Sequence, residues 1–217
     1  MATKTILPAN ATGSEGSPPS LRYYSDTTEG STFESPKLRQ WTESHLEEAE
    51  RILNPCAGNA RLDVDGEVLR VDVNEDADAD LHIDFRNLLE HADPDSFDAI
   101  VYDPPYSYNQ AVSKYGLDID RGGFYFFDDE VMELFDTLLA PGGVFIQFGY
   151  TTAAMPPELG YSVVGVGLFN KLGSQNDYLG IALEKPGVKP SETLPLTVED
   201  AVLPNADADQ ISDNDVS

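Results

Sequence analysis

The chain has 217 residues, 41% of them hydrophobic and 10% aromatic, which suffices for one packed domain and is too apolar for a disordered polymer. Lys and Arg number 13 against 39 Asp and Glu, a formal net charge of −26, and residues 33–185 alone hold 29 acidic and 10 basic side chains, so the excess is no mere tail. No apolar run approaches the roughly 20 residues that cross a bilayer, the N-terminus lacks a leader's apolar core, and the lone Cys56 excludes an internal disulfide; a soluble cytoplasmic protein is expected.

Residues 1–32 are rich in Ser, Thr, Gly and Pro with no apolar period and read as a disordered segment. From Leu38 to Leu53 the residues of one face fall near helical spacing, at Leu38, Trp41, His45, Leu46, Ala49 and Ile52. Ile52–Gly58 is a short apolar run ending in a small-residue turn, Glu67–Val73 has strand composition, and Leu81–Phe85 is a further short strand candidate. Phe97–Tyr106 is an apolar strand running into a Pro-Pro stop. Asp128–Gly143 opens with acids suited to a helix N-terminus and closes at Pro-Gly-Gly. Gly143–Tyr150, Tyr161–Phe169 and Asp177–Lys185 complete the strands, the last two too close together for a helical crossover, so one of them is expected to be antiparallel. Residues 187–217 read as a disordered acidic tail, which bounds the expected domain at 33–186. Strands alternating with helices, apolar along their whole length, predict an α/β sheet buried on both faces.

In an open α/β sheet ligands bind beyond the carboxyl ends of the strands, so the residues closing each strand are the candidates for chemistry. Asn54, Pro55, Cys56, Ala57, Gly58 and Asn59 close the first, and their small side chains let a backbone turn approach a ligand. Asp72, with Val73 beside it, closes the second; a carboxylate there can accept both hydroxyls of a ribose, with Glu75 as a substitute. Asp84, followed by Phe85, stands where a side chain can reach an adenine amine. Asp103, Pro104, Pro105 and Tyr106 close the strand 97–102. The two prolines fix φ, remove two N–H donors and leave a rigid extended turn with outward carbonyls. An amine on a flat ring needs two acceptors for its hydrogens and a ring to lie against. Asp103 and the Pro104 carbonyl are the acceptors, and Tyr106 is the ring. The single cysteine and three histidines show no metal-site spacing, and Cys56 is not expected to act as a nucleophile.

Asp-Pro-Pro-Tyr in this position resembles the catalytic motif of class I S-adenosylmethionine-dependent amino-methyltransferases, which modify adenine or cytosine amines in DNA. Asn54–Asn59 is similar to their cofactor loop, although Asn54, Pro55, Cys56 and Ala57 depart from the family's aromatic-x-Gly-x-Gly, and residues 30–41 resemble the segment that closes over the cofactor's methionine end. The resemblance covers about residues 33–185. It implies a Rossmann-like class I methyltransferase sheet of seven strands, mostly parallel with an antiparallel closing strand and helices on both faces. It implies S-adenosyl-L-methionine as cofactor, held by residues 54–59, Asp72, Val73, Asp84 and Phe85, and methyl transfer to N6 of adenine in a flipped or single-stranded DNA base. Related motifs serve RNA bases and protein glutamine, and a non-catalytic subunit of the same fold is a further alternative.

That family carries a separate target-recognition domain, and no stretch of this sequence reads as one. Recognition then falls to residues 107–127, with Lys114 and Arg121, and to 169–177, with Lys171, scarce cations where phosphate contact would help, or to a separate specificity or partner subunit. The acidic body opposes a nucleic-acid partner over about 10 Å at 0.1 M salt but only about 3 Å at 1 M. Few lysines and a body-wide coat of carboxylates resemble proteins of extreme halophiles, in whose salt DNA remains an approachable partner. No membrane partner is expected.

Overall fold

The computed structural model describes residues 18–28, 30, 32–113, 115–117, 126–173 and 176–187. Seven strands, β1 (Ser20–Ser25), β2 (Arg51–Pro55), β3 (Glu67–Val71), β4 (Phe97–Tyr102), β5 (Leu139–Gly149), β6 (Ser162–Asn170) and β7 (Tyr178–Glu184), form one sheet in the order β1-β6-β7-β5-β4-β2-β3. β7 is antiparallel to both its neighbours, and the other pairings are parallel. Helices α1 (Pro36–Glu43), α2 (Tyr108–Ser113) and α3 (Asp129–Leu138) complete the regular elements, with short 3-10 turns at Thr32–Glu34, Phe85–Glu90 and Pro157–Leu159.

The period of two along the central strands sorts the core into two layers. Ala99 and Val101 of β4 and Ile146 and Phe148 of β5 meet Leu38 and Trp41 of α1, while Ile100, Tyr102 and Phe145 meet Val131, Met132, Phe135 and Leu138 of α3. Helices therefore cover both faces, as expected. Phe135 is fully buried, its ring 4.7 Å from Tyr102, 5.6 Å from Phe85 and 5.8 Å from Phe145. Phe135→Ala is expected to cost about 3–5 kcal/mol in urea denaturation, since it removes the ring and leaves a cavity; a loss below about 1 kcal/mol would contradict this packing.

Three local departures from the sequence-based expectations have visible causes. Helix α1 starts as its sequence dictates, with the Ser35 hydroxyl accepting from the Leu38 N–H (3.3 Å) and Pro36 at the first turn, but it stops at Glu43, not Leu53. The Ser44 hydroxyl donates to the Trp41 carbonyl (2.7 Å), and His45 Nδ1 lies 2.8 Å from the same oxygen. Asp98 Oδ2, at the start of β4, then takes the N–H groups of Glu50 and Arg51 and draws the chain into β2. Ala140–Gly143, read as a helix stop, lies inside β5 as an irregularity, where pairing jumps from Phe97↔Leu139 to Ala99↔Val144 and Gly142 takes φ 81°.

The third departure changes which strands make seven. Leu81–Phe85 forms only a bridge, Val71↔Leu81, after which the Asp84 carboxylate accepts the Arg86 N–H and starts a 3-10 turn. The seventh strand is β1, from the segment expected to be disordered. It pairs with β6 from Ser20↔Gly165 to Ser25↔Asn170, and Tyr24 stacks on Phe169 at 5.1 Å and 6°. The expectations for residues 1–17 and 188–217 lie outside the described residues.

Candidate active site

The chain leaves β2 for β3 on one side and then crosses back to β4 on the other, so the strand order reverses between β2 and β4. A doubly wound sheet opens its ligand crevice at such a reversal. Pairing of β2 with β4 extends only through Ile52↔Ala99 and Leu53↔Ile100. Asn54 stands just past that ladder, buried, its Oδ1 without a hydrogen-bond partner.

Beyond Asn54 and the buried Pro55, the N–H groups of Cys56 and Ala57 both donate to the Val71 carbonyl at the end of β3 (2.8 and 3.0 Å). Cys56 takes φ 109° and Gly58 φ 54°, and a Cβ at Gly58 would meet nothing within 4 Å. The Gly58 N–H donates to Asp72 Oδ2 (2.9 Å), while Asp72 Oδ1 accepts from the Asn74 N–H (2.9 Å). Residues 54–59 and Asp72 are thus brought together as expected, with Val73 exposed beside them. Each carboxylate oxygen can accept more than one donor, so the Asp72 group retains capacity toward ligand hydroxyls.

Asp103–Tyr106 follows β4 on the other wall. Pro104 and Pro105 are buried. The Tyr106 hydroxyl makes a short bond to Asp103 Oδ1 and lies 3.3 Å from Thr32 Oγ1, in the segment before α1. The Tyr106 N–H donates to Gln110 Oε1 (2.7 Å), and its ring is flanked by Tyr150 at 5.2 Å and 70° and by Tyr178 at 6.3 Å and 45°. Burial, then the Asp103 charge, pushes the Tyr106 phenol well above its ordinary value, so the hydroxyl remains a donor. Burial likewise raises the Cys56 thiol, reinforced by the charges of Asp72, Asp103 and Asp84. A thiol held protonated is a poor nucleophile.

Other candidates are placed elsewhere. Both Asp84 oxygens face the Arg86 guanidinium, with Nε at 3.0 Å from each, in a part-exposed local pair. Phe85 is a core residue, packed on Tyr102, Phe126 and Phe135. Lys171 is 2% exposed, with Nζ 2.9 Å from Asp26 Oδ2, donating to the Thr28 carbonyl and 5.5 Å from the Tyr178 ring. The expected phosphate contact is therefore corrected: a buried, paired ammonium joins β6 to the chain after β1. Lys114 and Arg121 lie outside the described residues. Two site neighbours had escaped the sequence reading. Tyr150, 52% exposed after β5, gave no signal beyond its place at a strand end. Arg70, a cation inside the apolar run Val68–Val71, was the more legible of the two. Among the described residues no cluster could hold a metal ion, and no helix is long and apolar enough to cross a membrane.

The sheet and its crevice define the Rossmann-like class I methyltransferase fold. Its likeness among solved structures is one of architecture: TrmN from Thermus thermophilus matches with a TM-score of 0.50 and 19% identity over 70% of this chain and 49% of its own. The N-methyltransferase NodS from Bradyrhizobium japonicum matches at 0.47 and 14%, over 69% and 93% of the two chains. The Burkholderia thailandensis 1,6-didemethyltoxoflavin-N1-methyltransferase, solved with S-adenosylhomocysteine, matches at 0.45 and 16%, over 68% and 76%. This chain spans about half the length of the Thermus structure. No protein-family model and no curated protein matches the sequence.

Proposed function

We propose that the protein is an S-adenosylmethionine-dependent methyltransferase acting on the exocyclic amine of a nucleic-acid base, N6 of adenine in DNA. The observation that carries the reading is the placement of Asp103–Tyr106 across the strand-order reversal from the Gly58–Asp72 turn. The donor set fits the cofactor. Asp72 offers a carboxylate to ribose hydroxyls, the buried Asn54 Oδ1 leaves an unpartnered acceptor beneath the turn, and Gly58 leaves its open side free of side chain. When bound, S-adenosylmethionine supplies an electrophilic methyl group on a sulfonium sulfur.

The chain's own residues position the acceptor. The Asp103 carboxylate and the Pro104 carbonyl take the two amine hydrogens, which turns the nitrogen lone pair out of the ring plane and toward the methyl. Tyr106 donates to Asp103 and so fixes the rotamer of that carboxylate, and its ring, set by Thr32 and Gln110, is the surface on which the base stacks. Because an amine inside a duplex cannot enter, single-stranded or flipped bases are the substrates.

The burial of Lys171 favours a second reading, a planar amide such as protein glutamine, because it withdraws a phosphate contact and leaves the same two acceptors. Methyl-labelled cofactor incubated with single-stranded DNA, RNA and a protein fraction separates the two, in about 2 M NaCl, where surface charge is screened. Label in N6-methyladenine of DNA is the expected result. Label confined to protein would establish the amide reading, and no transfer alongside no cofactor binding would defeat both.

A further inference from the structure

We propose that Arg70 is the positioning residue of the cofactor crevice, its guanidinium clamping the turn after β2 onto the loop after β3 so that Gly58 faces the ligand. The proposal rests on the cofactor reading of that crevice. Arg70 is 4% exposed, on a strand whose neighbours Val68, Leu69 and Val71 are apolar. All three of its nitrogens donate to backbone carbonyls: Nη2 to Gly58 (2.9 Å), Nη1 to Ala60 (3.1 Å) and Nε to Asp78 (2.7 Å). Gly58 and Ala60 belong to the turn after β2. Asp78 belongs to the loop that Asp72 begins.

The same two stretches are tied again where the Asp78 N–H meets Asn59 Oδ1 (2.9 Å) and where Arg61 forks onto the Asp78 carboxylate (2.8 Å). Arg70's own backbone joins in, its N–H donating to Asp80 Oδ2 (2.8 Å) and its carbonyl accepting from Asp80 and Leu81. Gly58 is consequently gripped from two sides, its N–H by Asp72 and its carbonyl by Arg70, which holds φ at 54° with the open side outward. A leucine at this strand position would pack without desolvating a charge. What an arginine adds is a planar fork whose three nitrogens reach three separated carbonyls at once, whereas a lysine's three N–H donors all radiate from one nitrogen.

The test is calorimetric titration of S-adenosylhomocysteine into the full wild-type chain, Arg70→Lys, Arg70→Met and Arg22→Ala, at about 0.1 M and about 2 M NaCl, with melting of each unliganded protein alongside. Arg70→Lys is expected to weaken binding about tenfold, because a single ammonium replaces the fork, and Arg70→Met is expected to weaken it further. The loss should persist at high salt, since it arises from geometry and not from long-range charge. Arg22→Ala, which removes an exposed cation from β1 at the opposite edge of the sheet, should bind as wild type. If Arg70→Lys melts at lower temperature yet binds with wild-type affinity, Arg70 merely braces the fold and the proposal fails. Should Arg70→Met not fold, the Arg70→Lys comparison decides. A wild-type chain that does not bind the ligand overturns the cofactor reading, and this inference with it.

Discussion

Asp103→Ala should lower methyl transfer by about a thousandfold while leaving the affinity for S-adenosylhomocysteine within about threefold, a split read from single-turnover rates and calorimetry on the same preparation. The magnitude follows from what the side chain does. Asp103 is the only charged acceptor in the Asp103–Tyr106 turn, and the Tyr106 hydroxyl bonds to it. Its loss removes one holder of the amine and frees the tyrosine that forms the stacking surface. The proposed cofactor wall, Asp72 and the 54–59 turn, is held by bonds that do not pass through it. Asp103→Asn is the sharper control: it keeps the shape and one acceptor oxygen but presents N–H donors to an amine that needs acceptors, so it should fall between wild type and Asp103→Ala. Full activity in Asp103→Ala would remove the catalytic assignment.

Lys171→Met should destabilise the protein by about 3–5 kcal/mol in urea denaturation, because it strands the Asp26 carboxylate, itself 3% exposed, without its partner. The double substitution Asp26→Asn with Lys171→Met should recover most of that loss, since neither charge then needs compensation. The two variants also differ in pH dependence. Burial by itself raises the Asp26 pKa, but the hydrogen bonds from Lys171 and Thr28 outweigh it and leave the group below its usual value. The wild-type contribution is therefore complete above the unfolded carboxylate pKa of about 3.9 and is lost as pH falls through the lower folded value. With Lys171 gone the burial effect prevails, the sign reverses, and acidification should relieve part of the defect. A Lys171→Met protein as stable as wild type would show that the pair contributes nothing.

The readable parts of this chain were those in which local chemistry and global position agree. Asp103–Tyr106 was legible because two prolines terminate an apolar strand whatever surrounds them, and the structure puts that turn at the carboxyl end of β4. Asp72 and Gly58 were legible as strand-closing residues, and the bond between them confirms the juxtaposition, not the ligand. The antiparallel β7 followed from the short connection after β6. Errors arose where a distant partner decided the outcome. Ser20–Ser25 looks polar and unstructured because only two of its six residues are even half-buried, and its stability as a strand comes from β6. Lys171 looked like a surface cation because the carboxylate that buries it lies 145 residues away. Leu81–Phe85 looked like a strand because its alternation is real, but Asp84 caps the next turn instead of extending the ladder. Arg70 could have been noticed: in an acid-rich chain, an arginine within an apolar strand has to find carbonyls or carboxylates, and it found carbonyls.

The pairing of β1 with β6 also has a kinetic meaning. The two strands are parallel neighbours whose closing contact, Asp26 with Lys171, spans 145 residues of the chain. The entropy of closing so large a loop must be met before any reward from pairing is collected, so this edge is expected to dock late, once β7 has seated β6 beside β5. Substitutions in the Asp26–Lys171 pair should accordingly speed the rate at which the finished protein comes apart and leave the rate at which it assembles nearly untouched, a split that stopped-flow folding and unfolding rates would read.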